Sequence, residues 1–223
     1  MSFDNSNLEN IKAQIDRAFS TSTNLARTLV GKRRIEQGTI GKRTSLFPSF
    51  KNQGMIPLES KLELAYALSL EQDKKVIAYR TQAIEIPNFN KIFLYPDFLI
   101  KYKDHTYAVH EVKPSIDHLN SDQLKKLERL GHHIFNYLKI EFNVIDKSVL
   151  ANDKLVQRIL FFYSRGHTQT WPDELIYKAL HNLDKYYKAP SDVYRSLSLL
   201  NLPSNLGDYL IFHKEISING LSW

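Results

Sequence analysis

The sequence predicts an α/β protein that gives way to a mainly helical C-terminal part. Two observations carry this. Between residues 53 and 150 the apolar pattern switches from helical spacing to strand-like runs and back. After residue 150 three segments in succession keep helical spacing, and only the last stretch reads as strand.

Taken in order, "NLENIKAQIDRAFS" sets Leu8, Ile11, Ile15 and Phe19 at helical spacing, which predicts a short amphipathic helix. "GKRRIEQGTIGKR" is basic and punctuated by glycine, so it reads as a loop or arm. Residues 1–52 are therefore expected to form a basic N-terminal segment. "IPLESKLELAYALSLEQDKKV" predicts a helix, with Leu58, Leu62, Ala65, Tyr66 and Ser69 on one face and Glu59 and Glu63 one turn apart. "VIAYRTQAIEI" predicts a strand region ended by "PNFN". "KIFLYPDFLIKYK" and "TYAVHEVKP" predict two strands joined by a turn at Asp104-His105, a hairpin. Leu124, Leu127 and Leu130 mark a helix capped at Ser121, and "KIEFNVID" a further strand. Helix, strands, helix and strand make an α/β core over residues 53–150.

Residues 151–223 are expected to form a second domain. "NDKLVQRILFFYSRG", "PDELIYKALHNLDKYYK" and "SDVYRSLSLL" predict three helices, started at Asp153, Pro172-Asp173 and Ser191-Asp192. "GDYLIFHKEISINGLSW" reads as strand or hairpin, with Asn219-Gly220 suited to a type I′ turn. Three helices followed by a hairpin is the order of a winged helix.

Composition narrows the function. A chain of 223 residues, 43% hydrophobic, can bury one large core or two small ones. It has no cysteine, which excludes a disulfide framework, a thiolate zinc site and a cysteine nucleophile. The polar, acidic opening "MSFDNSNLEN" predicts no signal peptide, and the apolar runs are too short for a membrane span. A cytoplasmic protein with no membrane partner is expected. The net charge is +6, and residues 1–57 carry nine Lys/Arg against four Asp/Glu, +5 of that excess. The basic residues concentrate at Arg27, Lys32, Arg33, Arg34, Lys42 and Arg43. A basic arm beside a near-neutral body predicts contact with a polyanion such as DNA.

The chemistry lies in the expected hairpin. Side chains alternate across a strand, so Asp97 shares a face with Leu99 and Lys101, and Glu111 shares one with Val109 and Lys113. Paired strands would bring Asp97, Glu111 and Lys113 onto one face, with helical Glu63 behind. A buried carboxylate is costly unless something pairs with it. Two carboxylates suit a hard divalent ion, and a lysine suits a phosphate oxygen or the attacking water. Pro96-Asp97 followed by Glu111-Val112-Lys113 is the pattern of the PD-(D/E)xK, restriction-endonuclease-like fold.

Three blocks extend the likeness. "SKLELAYALSLE", "YPDFLIKYKD" and "AVHEVKPS", in this order and spacing, resemble TnsA, the endonuclease subunit of heteromeric bacterial cut-and-paste transposases. The resemblance covers about residues 44–165; beyond it only size and helical character agree. It implies that Glu63, Asp97, Glu111 and Lys113 are catalytic, with Glu59 second choice to Glu63. It implies Mg2+, with Mn2+ as substitute, held by Glu63, Asp97, Glu111 and the Val112 carbonyl. Some members carry glutamine where this chain has Glu111; either side chain offers an oxygen ligand. The implied activity is cleavage of the 5′, non-transferred strand at transposon ends. The implied partners are DNA, a TnsB-like recombinase and a TnsC-like ATPase, at the bacterial nucleoid when DNA is bound. The alternatives are a stand-alone restriction or repair nuclease of the same fold, and a non-catalytic DNA-binding module.

Overall fold

A computed structural model describes residues 5–20, 28–33, 44–87 and 93–221. The chain divides into two compact units, Met1–Leu150 and Ala151–Trp223. The first unit is mixed α/β. Its elements are α1 (Asn5–Ser20), β1 (Ser45–Ser49), β2 (Gly54–Leu58), α2 (Lys61–Gln72), β3 (Val76–Thr81), β4 (Ile86–Pro87), β5 (Phe93–Leu94), β6 (Phe98–Tyr102), β7 (Tyr107–Lys113), α3 (Ser121–His133) and β8 (Glu141–Asp146).

A four-stranded sheet in the order β3-β6-β7-β8 forms its centre. β6 pairs antiparallel with β3 and β7, whereas β7 and β8 run parallel with α3 between them in sequence. A parallel neighbour requires a crossover, and α3 supplies it. The β6–β7 hairpin turns at Asp104-His105, where His105 adopts φ 66° and the Tyr102 and Thr106 backbones close the turn.

Alternation divides the sheet into two covered faces. Leu99 and Val109 join Ile11 and Ile15 of α1 and Leu130 and Ile134 of the α3 region in one core. Phe98 and His110 face the other way and meet Tyr66 of α2. The first 52 residues, expected as a segment of their own, thus contribute α1 and β1 to this unit. Arg80 further ties α1 down by donating from Nε to the Ala18 carbonyl at 2.9 Å.

Local boundaries differ from the sequence expectation at α2 and α3, and further along the helix expected over residues 172–188 ends at Asn182, with Tyr186-Tyr187 in a strand instead. α2 begins at Lys61, because Ser60 caps it: the Ser60 Oγ accepts the Glu63 N–H at 3.1 Å. Leu58 and Glu59 therefore precede the helix, and Leu58 belongs to β2. α3 is capped by Asn120, not Ser121: Asn120 and Gln123 satisfy each other's backbone N–H groups in a capping box.

The second unit holds α4 (Asp153–Gly166), α5 (Asp173–Asn182), β9 (Tyr186–Tyr187), α6 (Pro190–Leu199), α7 (Ser204–Phe212) and β10 (Ser217–Ile218). The expected terminal hairpin is not formed. Residues 204–212 are helical because Leu206 and Leu210 lie one turn apart, both buried, and Gly207 lets α6 close in with Val193 and Leu197. Asp208 is fully buried within this helix and accepts hydrogen bonds from Arg165 Nε (2.8 Å) and the Tyr194 hydroxyl. β10 pairs with β9 in parallel, which a hairpin cannot do. Of Asn219 and Gly220 only the glycine has positive φ, so no type I′ turn arises. Among the described residues no helix is long and apolar enough to cross a membrane.

Candidate active site

The hairpin register sets Phe98 opposite His110 and Leu99 opposite Val109. Continued by one pair, it brings Asp97 beside Glu111 at one end of the sheet. Pro96 breaks the strand just before, since it has no N–H to give to a ladder. Two hydrogen bonds lock the junction. The Asp97 N–H donates to Glu111 Oε2 at 3.2 Å, and the Val112 N–H donates to Asp97 Oδ2 at 2.8 Å. The Lys113 ammonium donates to Glu111 Oε1 at 2.6 Å. Asp97, Glu111 and Lys113 thus form one connected cluster, through which the Val112 backbone runs while its side chain packs in the interior.

Glu63 is placed differently. It lies in the first turn of α2 and is only 7% exposed. Its carboxylate turns back on its own helix start, accepting from the Glu59 N–H at 2.8 Å and the Ser60 hydroxyl at 3.1 Å. It makes no direct bond to Asp97 or Glu111, yet lies near enough for their charges to repel. Among the described residues no three acidic or histidine side chains gather as a ready metal cage.

The electrostatics follow from three carboxylates facing one ammonium in a half-buried place. Burial, then the Glu111 charge, raise the Asp97 pKa to about 7, with Glu63 adding and Lys113 and the Val112 N–H opposing. Burial also raises Glu63, helped by Glu59 and Glu111 and opposed by its two cap hydrogen bonds. For Lys113, burial works against the charge, but Glu111, Asp97 and Glu63 outweigh it and raise its pKa. Asp97 and Glu111 are the two carboxylates of the cluster with the oxygen-donor chemistry a hard divalent cation takes, and the carboxylates outnumber the single lysine.

A cleft of about 550 Å³ opens beside the cluster, lined by Glu111, Lys113, Arg33, Tyr95, His118 and Lys126 among others. Arg33 donates from Nη2 to Glu59 Oε2 and from Nε to Gln82 Oε1. Gln82 is 2% exposed and takes the left-handed φ of 46°. Its side-chain amide donates to Glu59 Oε2 at 3.0 Å, its N–H to the Asp97 carbonyl at 3.1 Å, and its carbonyl accepts the Lys32 N–H at 2.8 Å. Neither Gln82 nor Tyr95 is marked by the sequence pattern. Of the expected DNA-binding residues, Lys32 is exposed and Arg33 is half-buried at the cleft; Arg27, Arg34, Lys42 and Arg43 lie outside the described residues. His110 points away from the cluster, held by Tyr66 and Asn143, and burial lowers its pKa to about 4.

No protein-family model matches this chain, and no curated protein matches it.

Proposed function

We propose that this chain is a metal-dependent DNA endonuclease with a restriction-endonuclease-like core, the 5′-strand-cutting subunit of a TnsA-like heteromeric transposase. The single observation that carries the reading is the Asp97–Glu111–Lys113 cluster, built across one antiparallel hairpin and open to a cleft. The helix before the hairpin, with Glu63 near the cluster, and the crossover to a parallel strand support the same fold.

Asp97, Glu111 and the Val112 carbonyl would hold Mg2+ or Mn2+, with Glu63 close by. Bound there, such an ion polarises a phosphodiester and makes water a better nucleophile. Lys113 donates to a phosphate oxygen or to the attacking water and stabilises the charge that develops. The water oxygen bonds to phosphorus, the bond to the 3′ oxygen breaks, and a 3′-hydroxyl and a 5′-phosphate result. A TnsB-like recombinase would cut and join the other strand, and a TnsC-like ATPase would couple both to a target in the bacterial cytoplasm. Under this division the nuclease needs only a phosphate grip, because the recombinase delivers the site.

The test is a nicking assay on DNA bearing the ends that flank the gene, with Mg2+, with and without the recombinase. Nicking that depends on Asp97 and rises with the recombinase supports the reading. Nicking unchanged by Asp97→Ala overturns it.

A further inference from the structure

We infer that Arg33 is a substrate-phosphate ligand of the cleft itself, and that Gln82 is the residue that positions it. The inference rests on the DNA-cleaving reading above and adds a group to that site. Even with a divalent cation bound, three carboxylates and one lysine leave the site without net positive charge, so an approaching phosphodiester needs a further cationic ligand close to them. Arg33 lines the same cleft as Glu111 and Lys113, and its side chain is 38% exposed, within reach of a ligand. Its two bonds, to Glu59 and Gln82, hold the guanidinium plane while using only part of its N–H donors. A planar fork held in this way suits phosphate oxygens better than a flexible ammonium does.

Gln82 is built to hold that fork. A non-glycine residue in the left-handed region is uncommon, and at a buried position it persists only where its surroundings fix it. Here the backbone N–H bonds to the Asp97 carbonyl, the carbonyl to the Lys32 N–H, and the side chain bridges Arg33 and Glu59. Gly31 completes the arrangement: a Cβ there would collide with the Thr81 and Gln82 carbonyls, so the chain lies tight against the end of β3. One residue therefore ties the backbone of a candidate catalytic aspartate to the side chain of Arg33. Glu59 in turn connects Arg33 to Glu63 through its backbone N–H.

The experiment uses the full chain and a short DNA duplex at low salt. The side-chain 15Nε–H signal of Arg33 is followed by NMR during titration, and affinities are measured for Arg33→Ala, Arg33→Lys, Gln82→Ala and the Arg33→Ala/Gln82→Ala double variant. The duplex is expected to move the Arg33 signal. Arg33→Ala should weaken binding about tenfold, the worth of one charge-assisted hydrogen bond. Arg33→Lys should restore only part of this. Gln82→Ala should weaken binding by itself but add nothing to Arg33→Ala, since it acts through Arg33. Arg33→Ala takes a partner from Glu59 and Gln82, so urea melts of each variant accompany the titrations, and Arg33→Lys, which keeps a cation beside Glu59, separates lost binding from lost fold. If the wild-type chain binds duplex while the Arg33 signal stays still and Arg33→Ala binds equally well, the inference falls and the DNA reading stands. If Gln82→Ala and Arg33→Ala add independently, the positioning role falls. If the wild-type chain binds no duplex at all, both readings fall together.

Discussion

Asp97→Asn should make the protein more stable and less active at once. The substitution keeps the shape and an oxygen to accept the Val112 N–H, but removes a charge that burial disfavours and that Glu111 and Glu63 repel. Keeping Asp97 ionised at neutral pH, with its pKa raised from 3.8 to about 7, costs the fold up to about 4 kcal/mol at about 1.4 kcal/mol per pH unit. The Lys113 attraction is already contained in that shift; asparagine still buries a polar amide and loses one acceptor oxygen, so a net gain of about 1–2 kcal/mol is expected. The sign with pH follows from proton binding. The folded state holds the Asp97 proton to higher pH than the unfolded chain does. This favours folding below pH 4, and the advantage is lost as pH rises through about 7. Wild type and Asp97→Asn should therefore differ least near pH 4, diverge between pH 4 and 7, and keep a constant gap above that. Urea melts with chelator present, at several pH values, measure the gap. Nicking should fall by about 10²-fold or more, the usual worth of an electrostatic catalytic group. A variant less stable than wild type at pH 8 would refute the repulsion, and wild-type nicking would refute the site.

Tyr66→Phe should cost about 1–2 kcal/mol by orphaning the buried His110 nitrogen, read by thermal or urea melts. His110 itself is buried neutral, so its contribution is present above pH 6.5 and is lost as pH falls toward 4; the acid limb of the stability curve should steepen there and shift in His110→Gln. Gly166→Ala should destabilise the second unit by about 1–3 kcal/mol, because a Cβ would stand 2.6 Å from the Tyr209 backbone; an unchanged melt would contradict the α4–α7 packing. Lys32→Ala with Arg34→Ala should weaken binding of any duplex alike and lower the salt slope by about one for each phosphate left without its cation; a changed sequence preference would mean that the arm reads bases.

The cluster was legible because strand alternation and hairpin pairing are nearly rigid rules. Once Asp97 and Glu111 are placed on neighbouring strands, their meeting needs no side-chain detail. Glu63 was legible as a helical residue near the hairpin, but its rotamer was not. Ser60 and the Glu59 N–H compete for its carboxylate, and that competition is decided by where the helix begins. Gln82 left no mark, because a left-handed backbone at a strand end depends on what packs around it. Ile11 and Ile15 showed a buried helical face by spacing alone, although not that β6 and β7 would be their partners. The C-terminal hairpin misled for a physical reason. "YLIF" is a short apolar run of residues common in strands and Asn219-Gly220 suits a turn, yet burial of Leu206 and Leu210 on one helical face outweighs both signals. Asn120 and Ser121 are both good caps, and only the reciprocal bond to Gln123 selects the first.

Strand-resolved mapping of the product tests the central claim most directly. DNA carrying the flanking ends, labelled separately on each strand, is incubated with the chain, the recombinase and Mg2+, using wild-type protein and Lys113→Ala. The expected result is a wild-type break in the non-transferred strand, leaving a 3′-hydroxyl and a 5′-phosphate. Lys113→Ala should lose this break while the recombinase still cuts the other strand. A non-transferred-strand break that persists with Lys113→Ala, or in excess chelator, would contradict it.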